Sequence, residues 1–184
     1  MSFSVSGHNV IVTTPDGTVE LDYQVRYGIG NTRSNIEEII FSDGTLDEAG
    51  IHGRAISDQG TAGDDAVTGS YQNDTIEAGL GDDTIRAHSG DDFVFYGGGN
   101  DVIHRSNAGF DTLDLSGYQA AEVSFSVDGH DVLIQTADGT IELDYQVRYD
   151  LGDSRLNIEE IVFADATLDE IGIRDRVEVD ALLV

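Results

Sequence analysis

The sequence predicts an all-β protein: an elongated parallel β-roll flanked by two copies of a duplicated β-strand segment. Three observations carry this prediction. The middle of the chain keeps a nine-residue period, its two ends match each other over a long stretch, and short β-branched runs alternate with turn dipeptides.

The period is read from Gly60 as GTAGDDAVT, GSYQNDTIE, AGLGDDTIR, AHSGDDFVF and YGGGNDVIH, with no residue gained or lost. The sixth place is Asp65, Asp74, Asp83, Asp92 and Asp101; the eighth is Val67, Ile76, Ile85, Val94 and Ile103. A degenerate sixth repeat, Arg105–Leu113, reaches Asp111 one residue late. Each unit reads as a turn of about six residues and a strand of about three, and two units complete a coil. The eighth-place side chains then stack into a narrow core.

The ends of the chain are a duplication. Phe3–His52 aligns without gaps on Phe125–Arg174 at an offset of 122, and about 33 of the 50 pairs are identical. In each copy β-branched runs flank a turn dipeptide: Val10–Thr14 and Thr18–Leu21 around Asp16-Gly17, and Val132–Thr136 and Thr140–Leu143 around Asp138-Gly139. These read as hairpins. Asn35–Phe41 and Asn157–Phe163 are third strand candidates, although NIEEI suits a helix as well. The expected division is therefore 1–58 for the first copy, 59–122 for the roll and 123–184 for the second copy with a C-terminal secretion tail.

Composition narrows the chemistry. Nine Lys+Arg, all of them arginine, against 36 Asp+Glu give a formal charge of −27. Such a surface repels nucleic acid and anionic membranes. A hydrophobic fraction of 39% argues against simple disorder. The excess carboxylate then calls for bound cations, and calcium suits hard oxygen ligands. Cysteine is absent, which removes disulfides, thiolate catalysis and cysteine zinc sites. No apolar stretch approaches the roughly 18 residues of a membrane span, so no membrane insertion is expected. The start, Met1-Ser2-Phe3-Ser4-Val5, lacks the pattern of a secretory signal peptide.

Alternation of the coils places Asp65, Asp83 and Asp101 on one edge and Asp74 and Asp92 on the other. Stacked carboxylates repel at close range, and a dication between successive turns reverses the sign. The expected sites pair Asp65 with Asp83, Asp83 with Asp101, and Asp74 with Asp92, each completed by turn carbonyls to the six to eight oxygens calcium prefers. Gly63, Gly79, Gly81, Gly90, Gly97 and Gly99, the fifth-place Asp82, Asp91 and Asn100, and Asp111 complete the candidate calcium-binding set. Phe93 and Phe95 point outward and are expected to lie under a flanking copy.

These five repeats resemble the GGxGxDxUx pattern of the RTX (repeats-in-toxin) family. Against that pattern Gln72, Ala78, Ala87, Tyr96, Thr61 and His88 depart from glycine at turn places, which implies weaker sites there. The resemblance implies turns that bind several Ca2+ ions, folding coupled to that binding, and export by type I secretion machinery without an N-terminal signal. The end of the chain, Val179-Asp180-Ala181-Leu182-Leu183-Val184, resembles the uncleaved signal of that pathway; the alternative is an ordinary final strand. The duplicated segments, with their NIEEI(I/V)F(S/A)D(G/A)TLDE ends, resemble segments that cap such rolls. They also resemble the Ra, or cadherin-like, segments of the rhizobial Rap adhering proteins, which implies a calcium-dependent lectin for bacterial surface polysaccharide.

The motif DYQVRY occurs twice, at Asp22–Tyr27 and Asp144–Tyr149. Tyr23, Tyr27, Tyr145 and Tyr149 could stack on sugar rings, and Arg26 and Arg148 could fork onto the carboxylate of an acidic polysaccharide. The plainer alternative has Tyr23, Val25 and Tyr27 as the inward face of a strand. The expected function is thus a secreted calcium-dependent lectin or adhesin acting on acidic exopolysaccharide or matrix. A calcium-binding module of a polysaccharide-modifying enzyme, such as an alginate epimerase, and a structural or secretion rod are the alternatives. No G-x-S-x-G elbow, H-E-x-x-H motif or phosphate loop is present, so no catalysis is expected.

Overall fold

The structure is a computed structural model that describes residues 1–22, 24, 36–104, 109–146 and 158–181. It is mostly β. The repeats supply six strands: β6 (Ala66–Thr68), β7 (Thr75–Glu77), β8 (Thr84–Arg86), β9 (Phe93–Phe95), β10 (Gly99–His104) and β11 (Thr112–Leu115). The first copy precedes them as β1 (Ser2–Ser6), β2 (Asn9–Thr14), β3 (Gly17–Leu21), β4 (Glu38–Ile40), β5 (Thr45–Asp47) and helix α1 (Glu48–Ser57). The second follows as β12 (Ser124–Asp128), β13 (Asp131–Gln135), β14 (Gly139–Leu143), β15 (Glu160–Phe163), β16 (Thr167–Asp169) and helix α2 (Glu170–Ala181).

Successive repeats alternate between two parallel sheets. Strands β6, β8 and β10 pair in one, and β7, β9 and β11 in the other. The register aligns Val67, Ile85 and Ile103 in the first sheet and Ile76, Val94 and Leu113 in the second. All six are buried in one core cluster. A side chain every nine residues is enough because each of the three-residue strands β6 to β9 buries only its middle residue, where it meets the rung of the neighbouring coil. Ala78 and Ala87 also face this core, at 1% and 3% exposure. Alanine at the first place of a repeat is therefore packing material, not a defect in the turn.

The second copy extends both sheets. β14 pairs in parallel with β10, setting Leu143 beside Ile103, and β15 pairs in parallel with β11, setting Ile161 beside Leu113. The first copy does not. Its strands β1, β2 and β3 form a separate three-stranded antiparallel sheet with its own core of Phe3, Val10, Val12, Leu21, Ile51 and Ala55. Ile141, in β14, is fully buried, whereas its counterpart Val19, in β3, is 55% exposed.

The hairpins form where expected, with two adjustments. The turn residues are Pro15-Asp16, with Gly17 already the first residue of β3, and each copy adds a strand ahead of its hairpin, β1 and β12. The third-strand candidates contract to β4 and β15. The helices are a correction to the all-β reading. Each begins after an aspartate whose carboxylate accepts a backbone N–H three residues on: Asp47 from Gly50 at 2.8 Å and Asp169 from Gly172 at 2.9 Å. These are N-caps, and Gly50, Gly53 and Gly172 inside weak helix formers conceal the segments that follow. Val179–Ala181 belong to α2 and form no strand, and 182–184 lie outside the described residues.

The N-terminal edge of the sheet that begins with β6 is covered by side chains rather than by a strand. Gln59, just after α1, donates to the Thr68 carbonyl and accepts from the Thr68 N–H, both at 2.9 Å. The exposed edge of β6 is thereby capped. His52 of α1 is buried between the Gln24 carbonyl, 2.6 Å from Nε2, and the Gln72 amide, 2.7 Å from Nδ1. Burial lowers its pKa, which suits a neutral ring that donates at Nε2 and accepts at Nδ1. Gln72, expected as a defective turn residue, thus ties the first copy to the repeats.

Candidate calcium-binding site

The sixth-place aspartates form two columns. In the first, the Asp65 N–H donates to Asp83 Oδ1 and the Asp83 N–H to Asp101 Oδ1, both at 2.9 Å. In the second, the Asp74 N–H donates to Asp92 Oδ1 at 2.9 Å and the Asp92 N–H to Asp111 Oδ1 at 3.0 Å. The edges are those expected from the sequence, and Asp111 joins the second despite its shifted spacing. Each carboxylate therefore reaches back one coil and holds the backbone of the preceding turn. Asp83, Asp92 and Asp101 are 1%, 2% and 3% exposed.

In two of these groups one oxygen has no hydrogen-bond partner. Asp83 Oδ2 and Asp92 Oδ2 are buried and unsatisfied. Burial of an ionised carboxylate in this state is costly, and the group neutralises or takes a counter-charge. Burial, with the charges of Asp111, Asp74 and Asp91, pushes Asp92 up to about 8, and burial with Asp83 and Asp82 pushes Asp101 to about 6. Asp74 and Asp83 are raised by burial too.

The first rung of each column differs. Asp65 Oδ2 accepts from both the N–H and the hydroxyl of Thr61 at 2.7 Å, and Asp74 accepts from the N–H and hydroxyl of Ser70. Thr61 and Ser70 occupy the second place of the first two repeats. Their hydroxyls satisfy the carboxylates that begin the columns. Read from sequence, Thr61 is a missing glycine; the structure makes it a cap.

The fifth-place side chains hold the turns in the opposite direction. Asp82 Oδ1 accepts the Asn100 N–H at 2.8 Å, Asp91 Oδ1 accepts the Phe110 N–H at 2.9 Å, and Asn100 Nδ2 donates to Asp82 Oδ1 at 3.1 Å. Asp82, Asp91 and Asn100 are therefore turn staples on the outside of the columns. The turn glycines stack on one another. A Cβ at Gly81 would fall about 2.5 Å from the Gly63 carbonyl carbon, and one at Gly90 2.4 Å from the Gln72 carbonyl. At Gly79, Gly97 and Gly99 a Cβ would overlap the carbonyl oxygens of Thr61, Gly79 and Gly81. Gly81 and Gly99 have φ of +111° and +108°, which L side chains rarely adopt.

Among the described residues no three Asp, Glu or His side chains converge on one point. A cation between turns would accordingly take carboxylate oxygens from Asp83, Asp92 or Asp101 and draw the remainder from turn carbonyls. The donors are hard oxygens, two of them buried without partners, and this fits calcium. When bound, calcium supplies positive charge between stacked carboxylates.

Sequence reasoning missed Glu159. It is 4% exposed and continues the second column: the Asp111 N–H donates to Glu159 Oε2 at 2.7 Å. Burial, with the charges of Asp111 and Glu170, raises it to about 7. No signal in the sequence separates it from Glu37, its exposed counterpart in the first copy.

Of the candidate sugar-binding residues, Tyr23, Arg26, Tyr27, Arg148 and Tyr149 lie outside the described residues. Tyr145 is 38% exposed with φ +58°, and its ring stacks on His130 with centroids 6.0 Å apart. Phe93 and Phe95 are half-buried and pack against each other, centroids 4.8 Å apart.

Residues 59–85 and 68–103 match the family model of the RTX calcium-binding nonapeptide repeat, in four copies. The chain thus carries calcium-binding repeats of the RTX class, and Asp65, Asp74, Asp83, Asp92 and Asp101 lie within them. No curated protein matches the chain.

Proposed function

We propose that this chain is a secreted, non-enzymatic protein whose two parallel sheets form a β-solenoid that orders as calcium binds, and that the ordered protein holds acidic bacterial exopolysaccharide as a lectin or adhesin. The observation that carries the calcium-coupled part is the pair of buried, partnerless carboxylate oxygens at Asp83 and Asp92 in columns of like charge. A metal-free roll at neutral pH must either protonate these groups or leave charge buried, and both oppose folding. Far-ultraviolet circular dichroism across a calcium chloride titration tests it: strand signal should grow with calcium and disappear on chelation.

The polysaccharide part is supported by the exposed Tyr145 ring in a left-handed backbone, a conformation that clusters at functional sites. A chain with a formal charge of −27 needs the bound ions before it can approach an acidic polymer. Calcium-dependent retention on an acidic exopolysaccharide resin, lost with chelator, is the expected result. A calcium-ordered chain that passes through unretained would leave a structural rod or an enzyme's calcium-binding module. The C-terminal helix and the residues beyond it would supply the export signal.

A further inference from the structure

The second acidic column does not end with the repeats. Asp74, Asp92 and Asp111 are followed by Glu159, contributed by the second duplicated copy. The Asp111 N–H donates to Glu159 Oε2 at 2.7 Å, the hydrogen bond that the Asp92 N–H makes to Asp111 Oδ1 at 3.0 Å one rung earlier. In return the N–H groups of Glu159 and Glu160 donate to the Asp111 carbonyl at 2.9 and 3.1 Å. Glu159 is 4% exposed, and its Oε1 is buried without a hydrogen-bond partner, as Asp92 Oδ2 is.

The first column ends differently. The residue paired with Asp101 in the next strand is Ile141, fully buried and apolar. Acidic continuation is thus a property of one edge. It is also a property of one copy, because Glu37, 122 residues earlier in an identical NIEEI, is exposed.

We propose that Asp111 and Glu159 form a further calcium site, the last of the second column, which fastens the C-terminal copy to the roll. The site rests on the reading that the columns bind calcium. It makes docking of β15 dependent on the ion, because ionised Asp111 and Glu159 repel when brought together and attract through a shared dication. The neighbouring Asp92 and Asp111 rung would then be closed from both sides.

Calorimetric titration of the full chain with calcium chloride tests the assignment through Glu159→Gln, which keeps an oxygen for the Asp111 N–H. The variant should bind one ion fewer than the wild type, whereas Glu37→Gln should match the wild type. Amide exchange of the wild type gives a second readout that requires no variant to fold: residues 160–163 should exchange at least tenfold more slowly in calcium than in chelator. Wild-type stoichiometry in Glu159→Gln, or calcium-independent protection of 160–163, overturns the proposal. A wild type that binds no calcium would instead remove the underlying reading of the columns.

Discussion

Replacing Asp92 by asparagine should stabilise the metal-free protein and weaken its response to calcium. Asp92 is held at about 8, against an ordinary 3.8, by burial and three neighbouring carboxylates. The sign follows from that direction. Below pH 3.8 the group is protonated whether the chain is folded or not; between 3.8 and about 8 folding must take up a proton, so stability falls as pH rises. At pH 7 the cost is about three pH units at about 1.4 kcal/mol each, roughly 4 kcal/mol. Asparagine needs no proton and retains the Oδ1 acceptor for the Asp74 N–H, but its buried amide lacks an acceptor, a penalty of about 1–3 kcal/mol. Proton uptake costs more than the unpaired amide does, so Asp92→Asn should gain about 1–3 kcal/mol in chelator at pH 7. At pH 5 the uptake cost falls to about 2 kcal/mol and the advantage should vanish. The strand signal by circular dichroism in chelator at both pH values, and the calcium concentration at which that signal is half-maximal, read these differences. A variant less stable than the wild type in chelator at pH 7, with its full calcium stabilisation intact, would refute the reasoning.

Other perturbations separate the parts of the site. Gly81→Ala should lower the melting temperature far more than Gly117→Ala, because Gly81 combines φ of +111° with the Gly63 backbone at its missing Cβ while Gly117 faces open space. Ser70→Ala should cost the calcium-bound protein about 1–3 kcal/mol in urea unfolding, since its hydroxyl donates to Asp74. Because folding without metal raises Asp92 to about 8, Asp101 to about 6 and Glu159 to about 7, the metal-free fold loses stability as pH rises toward those values, so strand signal in chelator should be greater at pH 5 than at pH 7.5. Circular dichroism in chelator across that range reads the difference.

The nonapeptide core and the two aspartate columns were legible because they depend on local spacing alone. A residue that repeats every nine positions in a coil of 18 must stack, whatever surrounds it. The sugar-binding assignment drew on the same reading of short motifs, but all its residues except Tyr145 lie outside the described part. The helices were hidden by Gly50, Gly53 and Gly172, and only the Asp47 and Asp169 caps marked their starts. Gln72 and Thr61 looked like losses from the turn pattern because their partners, His52 and Asp65, become visible only in three dimensions.

The asymmetry of the duplication is the clearest case. Val19 and Ile141, or Glu37 and Glu159, occupy equivalent places in near-identical segments, yet one of each pair is exposed and the other buried. The difference comes from position along the chain: only the second copy follows β10 and β11, where an unfinished sheet offers the next rung to β14 and β15. Sequence identity between copies could not carry that information.

Residue-resolved amide exchange at Val67, Ile76, Ile85, Val94 and Ile103, in calcium and in chelator at pH 7.5, bears most directly on the claim that cations hold the columns together. Slow exchange at all five in calcium and fast exchange in chelator is the expected pattern. Equal protection in both buffers would mean that the roll stands without the ions.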